Sequence, residues 1–250
     1  MKKVISLVLA LLVGLSMAQD LGGRTVLVGS DTTYPPFESV SEAGEIVGFD
    51  VDVVNAVCER INCVAEFTTY AWDGIVAAIG AGTFQDFDMV ASGVTITEER
   101  DETVDFSSPY VTVSQAIATS TANEAYTLES FTDDGSELTL GTQLGTTNYE
   151  LAVDLVGEDR VVSYDDFNST VLALLQGDID GMIVDDVSAA GFLEQYPGEM
   201  VTNISGLTSG EALGFVFEPG DELLDAFNAG LQMIEDDGTL ESIRAEWFGN

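Results

Sequence analysis

The sequence predicts a two-lobed α/β protein with a ligand cleft, and three observations predict it. Short β-branched runs alternate with segments of helical apolar spacing from Val26 to Trp247. The same strand, turn, helix order recurs in the second half of the chain. Polar or Gly-rich turns follow several strands, and open parallel sheets bind ligands beyond the carboxyl ends of their strands.

Each element has its own signal. Val26-Leu27-Val28 is a short strand, followed by the turn Asp31-Thr32-Thr33-Tyr34-Pro35-Pro36, where two prolines forbid helix. Asp50 is an N-cap or first-turn acid ahead of Val51, Val54, Val57, Cys58 and Ile61 at helical spacing. Trp72 to Ala81 is a second helix with Ile75, Ala78 and Ile79 on one face. Asp88 to Ala91 is a buried strand, and Thr97 caps a short helix beginning at Glu98. The polar stretch near Asn123 to Glu137 is the only loosely composed segment. Then come strand Leu138–Leu140, turn Gly145–Thr147, helix Tyr149–Val156 and strand Val161–Val162. A helix through Val171 to Leu175 stops at Gly177, and strand Met182–Val184 ends at Asp185. Phe215–Phe217 is a strand, and Leu223–Ile234 and Leu240–Trp247 are closing helices. Strand–helix alternation of this kind predicts parallel sheets with right-handed crossovers.

Residues 1–18 read as a leader. Lys2 and Lys3 precede the apolar run Val4–Leu15, and Ser16-Met17-Ala18 puts small residues where signal peptidase cleaves. No cysteine follows for lipid anchoring, and no later run approaches a membrane span, so the mature protein is expected to be soluble and exported. Export permits a disulfide between the two cysteines, Cys58 and Cys63. The small loop it closes is worth about 2 kcal/mol by loop entropy. The alternative, a zinc or redox pair, has no histidine to assist it and lacks CxxC spacing.

Charge excludes whole classes of partner. The chain carries 44 acidic against 7 basic residues, a formal net charge of −37, and both lysines lie in the leader. Nucleic acid and anionic membranes are therefore excluded as partners. Acid pairs such as Asp133-Asp134, Asp165-Asp166 and Asp236-Asp237 suit a solvated surface and lack the spacing of a calcium loop. Nothing in the chain calls for a metal or a cofactor.

Candidate site residues follow from the strand ends: Asp31, Ser92-Gly93-Val94-Thr95, Thr146-Thr147 and Asp185. Arg100 lies one short turn beyond such an end, and a guanidinium binds a carboxylate by two parallel hydrogen bonds. Backbone N–H groups near Thr95 and Thr147 add donors. Asp185 is an anion suited to an ammonium. A carboxylate receptor with an ammonium receptor describes an α-amino acid zwitterion. Duller roles compete: Arg100 pairing with nearby acids, Asp185 capping the helix after it, Tyr34 and Trp72 as core aromatics.

These segments resemble the bacterial extracellular solute-binding proteins for polar amino acids, partners of ABC importers. The resemblance rests on Gly48-Phe49-Asp50-Val51-Asp52 through Cys58, on Asp31 to Glu38, on Ser92 to Arg100, on Asp105-Phe106-Ser107, on Gly145-Thr146-Thr147 and on the ending Asp237 to Gly249. It spans the mature chain. It implies a type II periplasmic-binding fold, with residues 19–110 and 214–250 in one lobe and 115–209 in the other. Hinge strands would lie near 110–114 and 209–213. It implies that Arg100, with the amides of Thr95 and Thr147, binds the α-carboxylate. Asp185, the Thr95 hydroxyl and the Gly93 carbonyl would hold the ammonium, and Tyr34 and Trp72 would sandwich the side chain. Asp31, Ser92 and Gln143 would contact its far end; relatives carry lysine or leucine where Gln143 stands. A monomer in the periplasm, closing on a free L-amino acid and presenting it to a membrane permease, is the implied mode of action.

Asp31, with Glu38 on the same loop, favours a cationic side chain at the far end, which makes arginine the first choice and glutamine the second. A second carboxylate there would have no counter-ion. One rival is an enzyme resembling cyclohexadienyl dehydratase, for which the mature chain supplies no histidine or lysine as acid–base. Another is a sensor module presenting the ligand to a receptor. Independently of function, so acidic a chain repels itself when salt is low. Its thermal midpoint is expected to rise from very low to near-molar sodium chloride in calorimetric scans; a flat or falling midpoint would refute salt adaptation.

Overall fold

The computed structural model describes residues 20–249, so the predicted leader lies outside them. The chain opens with β1 (Arg24–Ser30) and a small antiparallel sheet of β2 (Thr33–Tyr34), β3 (Glu38–Val40) and β4 (Ile46–Val47). Gly48, at φ 151°, turns the chain into α1 (Phe49–Ile61); a Cβ there would sit 2.0 Å from the Phe37 carbonyl oxygen, so only glycine fits. Asp50 is therefore a first-turn residue of α1, not its cap. Asn62 ends the helix in the left-handed region, and the Cys58–Cys63 disulfide ties that end to β5 (Cys63–Thr69). Next come α2 (Trp72–Ala81), β6 (Met89–Val90), α3 (Glu98–Asp101), whose Thr97 cap accepts from the Arg100 N–H, and β7 (Asp105–Phe106).

The chain then crosses through β8 (Val111–Val113) into β9 (Gln115–Ser120), and continues with α4 (Leu128–Thr132), β10 (Leu140–Gln143), α5 (Thr147–Val156) and β11 (Val161–Tyr164). The second lobe finishes with α6 (Phe167–Gln176), β12 (Gly181–Asp185), α7 (Asp186–Gln195) and β13 (Met200–Ile204). β14 (Glu211–Leu213) pairs antiparallel with β8 on the way back, and β15 (Val216–Phe217), α8 (Glu222–Asp236) and α9 (Thr239–Phe248) complete the first lobe.

Each lobe holds a five-stranded sheet, in order β5-β1-β6-β15-β7 and β11-β10-β12-β9-β13. All-parallel sheets were expected, and the structure corrects this. In each sheet one strand runs against the other four: β15 in the first and β9 in the second. These are the strands that the chain forms just after crossing between lobes. A crossing chain enters its sheet from the cleft side, at the carboxyl ends of the other strands, and so must run backwards through it.

Three further differences have local causes. β10 begins at Leu140, later than the expected Leu138, because the backbone N–H and hydroxyl of Thr139 are tied to Asp180. The shift carries Gln143 to the strand's carboxyl end. The stretch 123–137 is not featureless: Thr127 and Ser130 form a capping box on α4, and Phe131, fully buried, anchors it. β5 and β13, which apolar alternation did not reveal, lie at sheet edges with partly exposed faces.

Four of the arginines fasten elements together. Arg24 pairs with Asp88 and Arg60 with Asp237, both at 2.8 Å, and Arg244, paired with Glu241 within α9, donates to the Tyr110 carbonyl at 2.8 Å. Arg160 donates to the carbonyls of Val156 and Phe131. Trp247 donates from Nε1 to Asp52 at 2.7 Å, seating α9 on α1. Among the described residues no helix is long and apolar enough to cross a membrane.

Candidate functional site

The carboxyl ends of both sheets converge on one pocket, and every site residue expected from the sequence lines it: Asp31, Tyr34, Trp72, Ser92, Gly93, Thr95 and Arg100 from the first lobe, and Gln143, Thr147 and Asp185 from the second. Glu38, Thr146, Asn148 and Phe167 line it too.

Arg100 follows directly from its helix. Thr97 caps α3, which swings the Arg100 side chain back along the segment after β6. Its Nη1 donates to the Thr95 carbonyl at 2.9 Å, its Nη2 to the Gly145 carbonyl across the cleft at 3.4 Å, and Cζ lies 5.8 Å from the centre of the Trp72 ring. Among the described residues no carboxylate comes within 4.0 Å of it. The expected competing role, a surface ion pair, is absent there. Burial lowers its pKa, with Glu150 and Glu99 partly offsetting this from a distance.

Beside it, α5 points its N-terminus at the pocket. Thr146 caps the helix by accepting from the Tyr149 N–H at 3.1 Å. The first amides of a helix have no intrahelical acceptor, which directs those of Thr147 and Asn148 at an anion. The hydroxyls of Thr95 and Thr147 meet across the cleft at 3.4 Å.

Asp185 ends β12 and occupies the N-cap position of α7, yet its side chain does not cap that helix. It accepts instead from Asn148 Nδ2 at 3.1 Å and rests against the Tyr34 hydroxyl. Burial pushes its pKa up to about 6, reinforced by Glu211 and Asp186 and opposed by the bonds from Tyr34 and Asn148. No cation reaches it among the described residues. Gly93 sits at φ +55° with its N–H on Asp50, and a Cβ there would lie 3.0 Å from the Tyr34 ring.

At the other end, Gln143 bridges the lobes. Its Nε2 donates to Asp31 Oδ2 at 2.6 Å and to the Asp165 carbonyl at 3.0 Å. Asp31 Oδ1 accepts from Thr33, and burial raises its pKa despite these bonds. Ser92 is committed to the protein: its hydroxyl accepts from the Asp31 N–H at 2.9 Å and donates to Glu38 at 3.0 Å. The expected Tyr34–Trp72 sandwich is also altered. The Tyr34 ring stacks on Phe37 at 5.4 Å and on Phe167 at 4.7 Å, so its faces are occupied by protein. Trp72 keeps an indole N–H with no acceptor among the described residues.

Asn148 and Phe167 were missed. Both stand just past a helix start, and the strand-end rule that selected Asp31 and Asp185 selects Phe167 when applied to β11.

A linkage test reads Asp185 directly. A carboxyl whose pKa is raised by folding gives stability that is fully present below about pH 4 and lost as pH climbs through about 6. Asn cannot ionise, so the stability of Asp185→Asn relative to the parent is expected to rise across that window by up to roughly 3 kcal/mol and then level off. Urea midpoints of both proteins at successive pH values check this, and a constant difference would refute it.

Comparison with known proteins agrees in kind. Residues 26–250 match the family model for bacterial extracellular solute-binding proteins, family 3. The ABC transporter arginine-binding protein 1 of Escherichia coli (strain K12) is 33% identical over 226 residues, covering 88% of this chain and 89% of its own. An ancestral arginine-binding protein bound to arginine is 34% identical with a TM-score of 0.81, covering 91% of this chain and 100% of its own. The ancestral arginine-binding protein bound to glutamine gives the same identity and TM-score, over 90% of this chain and 98% of its own.

Proposed function

The chain belongs to the bacterial extracellular solute-binding proteins, family 3, and we propose that it captures a free basic L-amino acid, arginine first, between its lobes and delivers it to an ABC importer. The observation that carries this reading is a pair of charges of opposite sign, the half-buried Arg100 and the buried Asp185, lining one pocket with no ion-pair partner among the described residues. A zwitterion supplies both partners at once. Its carboxylate takes the remaining Arg100 donors and the first amides of α5. Its ammonium takes Asp185, the Gly93 carbonyl and the Thr95 hydroxyl.

Side-chain preference follows from Gln143. Its amide nitrogen is engaged by Asp31 and Asp165. That leaves the far end with acceptors, the Asp31 carboxylate and the Gln143 carbonyl. A guanidinium offers five donors and a flat face for Trp72, where a glutamine amide offers two donors and an acceptor with no clear partner. An acidic side chain would sit beside Asp31 with no counter-ion.

The pocket draws residues from both lobes, and β8 and β14 form the short link between them. Closure by bending there would bury the ligand and create the surface that a membrane permease reads. The protein works as an exported monomer on this reading, released from its leader. On this reading it binds without turnover: Arg100 and Asp185 are placed to hold a zwitterion. Incubation with arogenate or prephenate is expected to leave both unchanged.

Calorimetric titration with arginine, lysine, histidine, glutamine and glutamate is expected to rank arginine first, other basic amino acids and glutamine behind it, and glutamate undetectable. Tight glutamate binding at neutral pH would overturn the assignment of Asp31, and a preference for glutamine would show that the Gln143 amide outweighs the charge. Arg100→Ala is expected to weaken arginine binding by roughly 3 kcal/mol or more, because a buried carboxylate is left unpaired. Binding within about threefold of the parent would refute the carboxylate site, that being under 1 kcal/mol.

A further inference from the structure

Glu38 on β3 and Asp50 on α1 are both fully buried, and no cation pairs with either among the described residues. Asp50 is well supplied with donors: Oδ2 accepts from the Gly93 N–H at 3.0 Å and Oδ1 from the Tyr110 hydroxyl at 2.7 Å. Glu38 is not. Its Oε1 accepts from Ser92, and its Oε2 has no hydrogen-bond partner of the ordinary donor–acceptor kind. The two carboxyl groups sit against each other.

Two ionised carboxylates cannot share such a site. Burial is the main cause that pushes both up, Glu38 well above the carboxylate range, with Asp50 and Asp31 repelling charge on Glu38. The donors on Asp50 favour its ionised form. The proton then belongs on Glu38 Oε2, where it supplies the missing bond to Asp50. Asp31 beyond β1 and Tyr110 before β8 are the other titratable groups facing the pair, while the hydroxyl of Tyr34 on β2 faces Asp185. Arg244 of α9 donates to the Tyr110 carbonyl, not to either carboxyl.

The pair is also joined to the pocket. Glu38 orients Ser92, Ser92 accepts from the Asp31 N–H, and Asp50 holds the Gly93 N–H. We propose that Glu38 is a neutral positioning residue: by sharing one proton with Asp50 it holds Asp31, Ser92 and Gly93 in their binding arrangement, so that ligand affinity depends on that proton. The proposal rests on the pocket being an amino-acid site. The pair's contribution is present at acid and neutral pH and is lost as pH rises through its folded-state titration. Loss of the proton sets two anions against each other beside Asp31 and strains the turn at Gly93.

Titration of the parent, Glu38→Gln and Glu38→Ala with L-arginine and with L-glutamine from pH 6 to 9.5 tests this, alongside ligand-free thermal midpoints over the same range. Gln reproduces the neutral acid, accepting from Ser92 and donating to Asp50. At pH 6.5, Glu38→Ala is expected to bind about 30-fold more weakly than the parent, and Glu38→Gln to recover most of that loss. Towards pH 9.5 the parent is expected to weaken by about tenfold relative to Glu38→Gln, and its midpoint to fall relative to that variant. The ligand's own ammonium titrates equally against both proteins, so the ratio isolates the pair. A constant ratio, with parallel midpoints, would overturn the proposal. So would a tenfold loss of arginine but not glutamine in Glu38→Gln, which would make Glu38 an ionised receptor for the ligand's cation. If the parent binds no amino acid, the pocket reading fails and this role with it, while diverging midpoints would still place the proton on the pair.

Discussion

A charge taken out of water needs an opposite charge or several donors within a few ångströms, and this pocket holds two charges to which the protein supplies only part of what they need. Arg100 has carbonyls and an aromatic face but no carboxylate; Asp185 has Asn148 and Tyr34 but no cation. They do not pair with each other. The remainder of the architecture serves to keep them apart and lining the same pocket, Asp185 buried and Arg100 half-buried.

The sheets make this possible. Each lobe is a parallel sheet with one reversed strand, and the reversed strands are those laid down after each crossing. Crossing at the carboxyl ends keeps the link short, β8 against β14, and sets both sets of strand ends facing the same cleft. Arg100 and Gly93 then come from one side and Asp185 and the α5 N-terminus from the other. On the proposed reading, binding and lobe contact become one event, since the ligand would complete bonds that neither lobe completes alone.

The scarcity of basic residues sharpens the design. Arg24 and Arg60 join segments of the fold through ion pairs, and Arg160 and Arg244 through bonds to backbone carbonyls. Arg100 is the one among the five that lines the pocket. Inside the first lobe the acids cannot all be answered by cations, and the Glu38–Asp50 pair meets the shortage with a proton. The same shortage at the surface leaves most carboxylates to solvent and salt.

The sequence by itself determined which residues stand at strand ends and helix starts, because those signals are local. Two prolines after a short strand, a Thr cap three residues before Arg100 and a Gly-Thr-Thr turn before a helix depend on neighbours a few positions away. That was enough to name Asp31, Ser92, Gly93, Thr95, Arg100, Thr147 and Asp185 as pocket residues; the family resemblance added Tyr34, Trp72 and Gln143 and supplied the expected roles. Only the tertiary structure decided what each side chain does there. Asp185 looks like a helix cap and instead serves Asn148 and Tyr34. Tyr34 looks open for stacking and is covered by Phe37 and Phe167. Gln143 meets Asp31 across 112 positions of chain, and Glu38 acquires its proton from burial against Asp50. Desolvation and contact between distant residues set these outcomes, and neither is written in a local pattern.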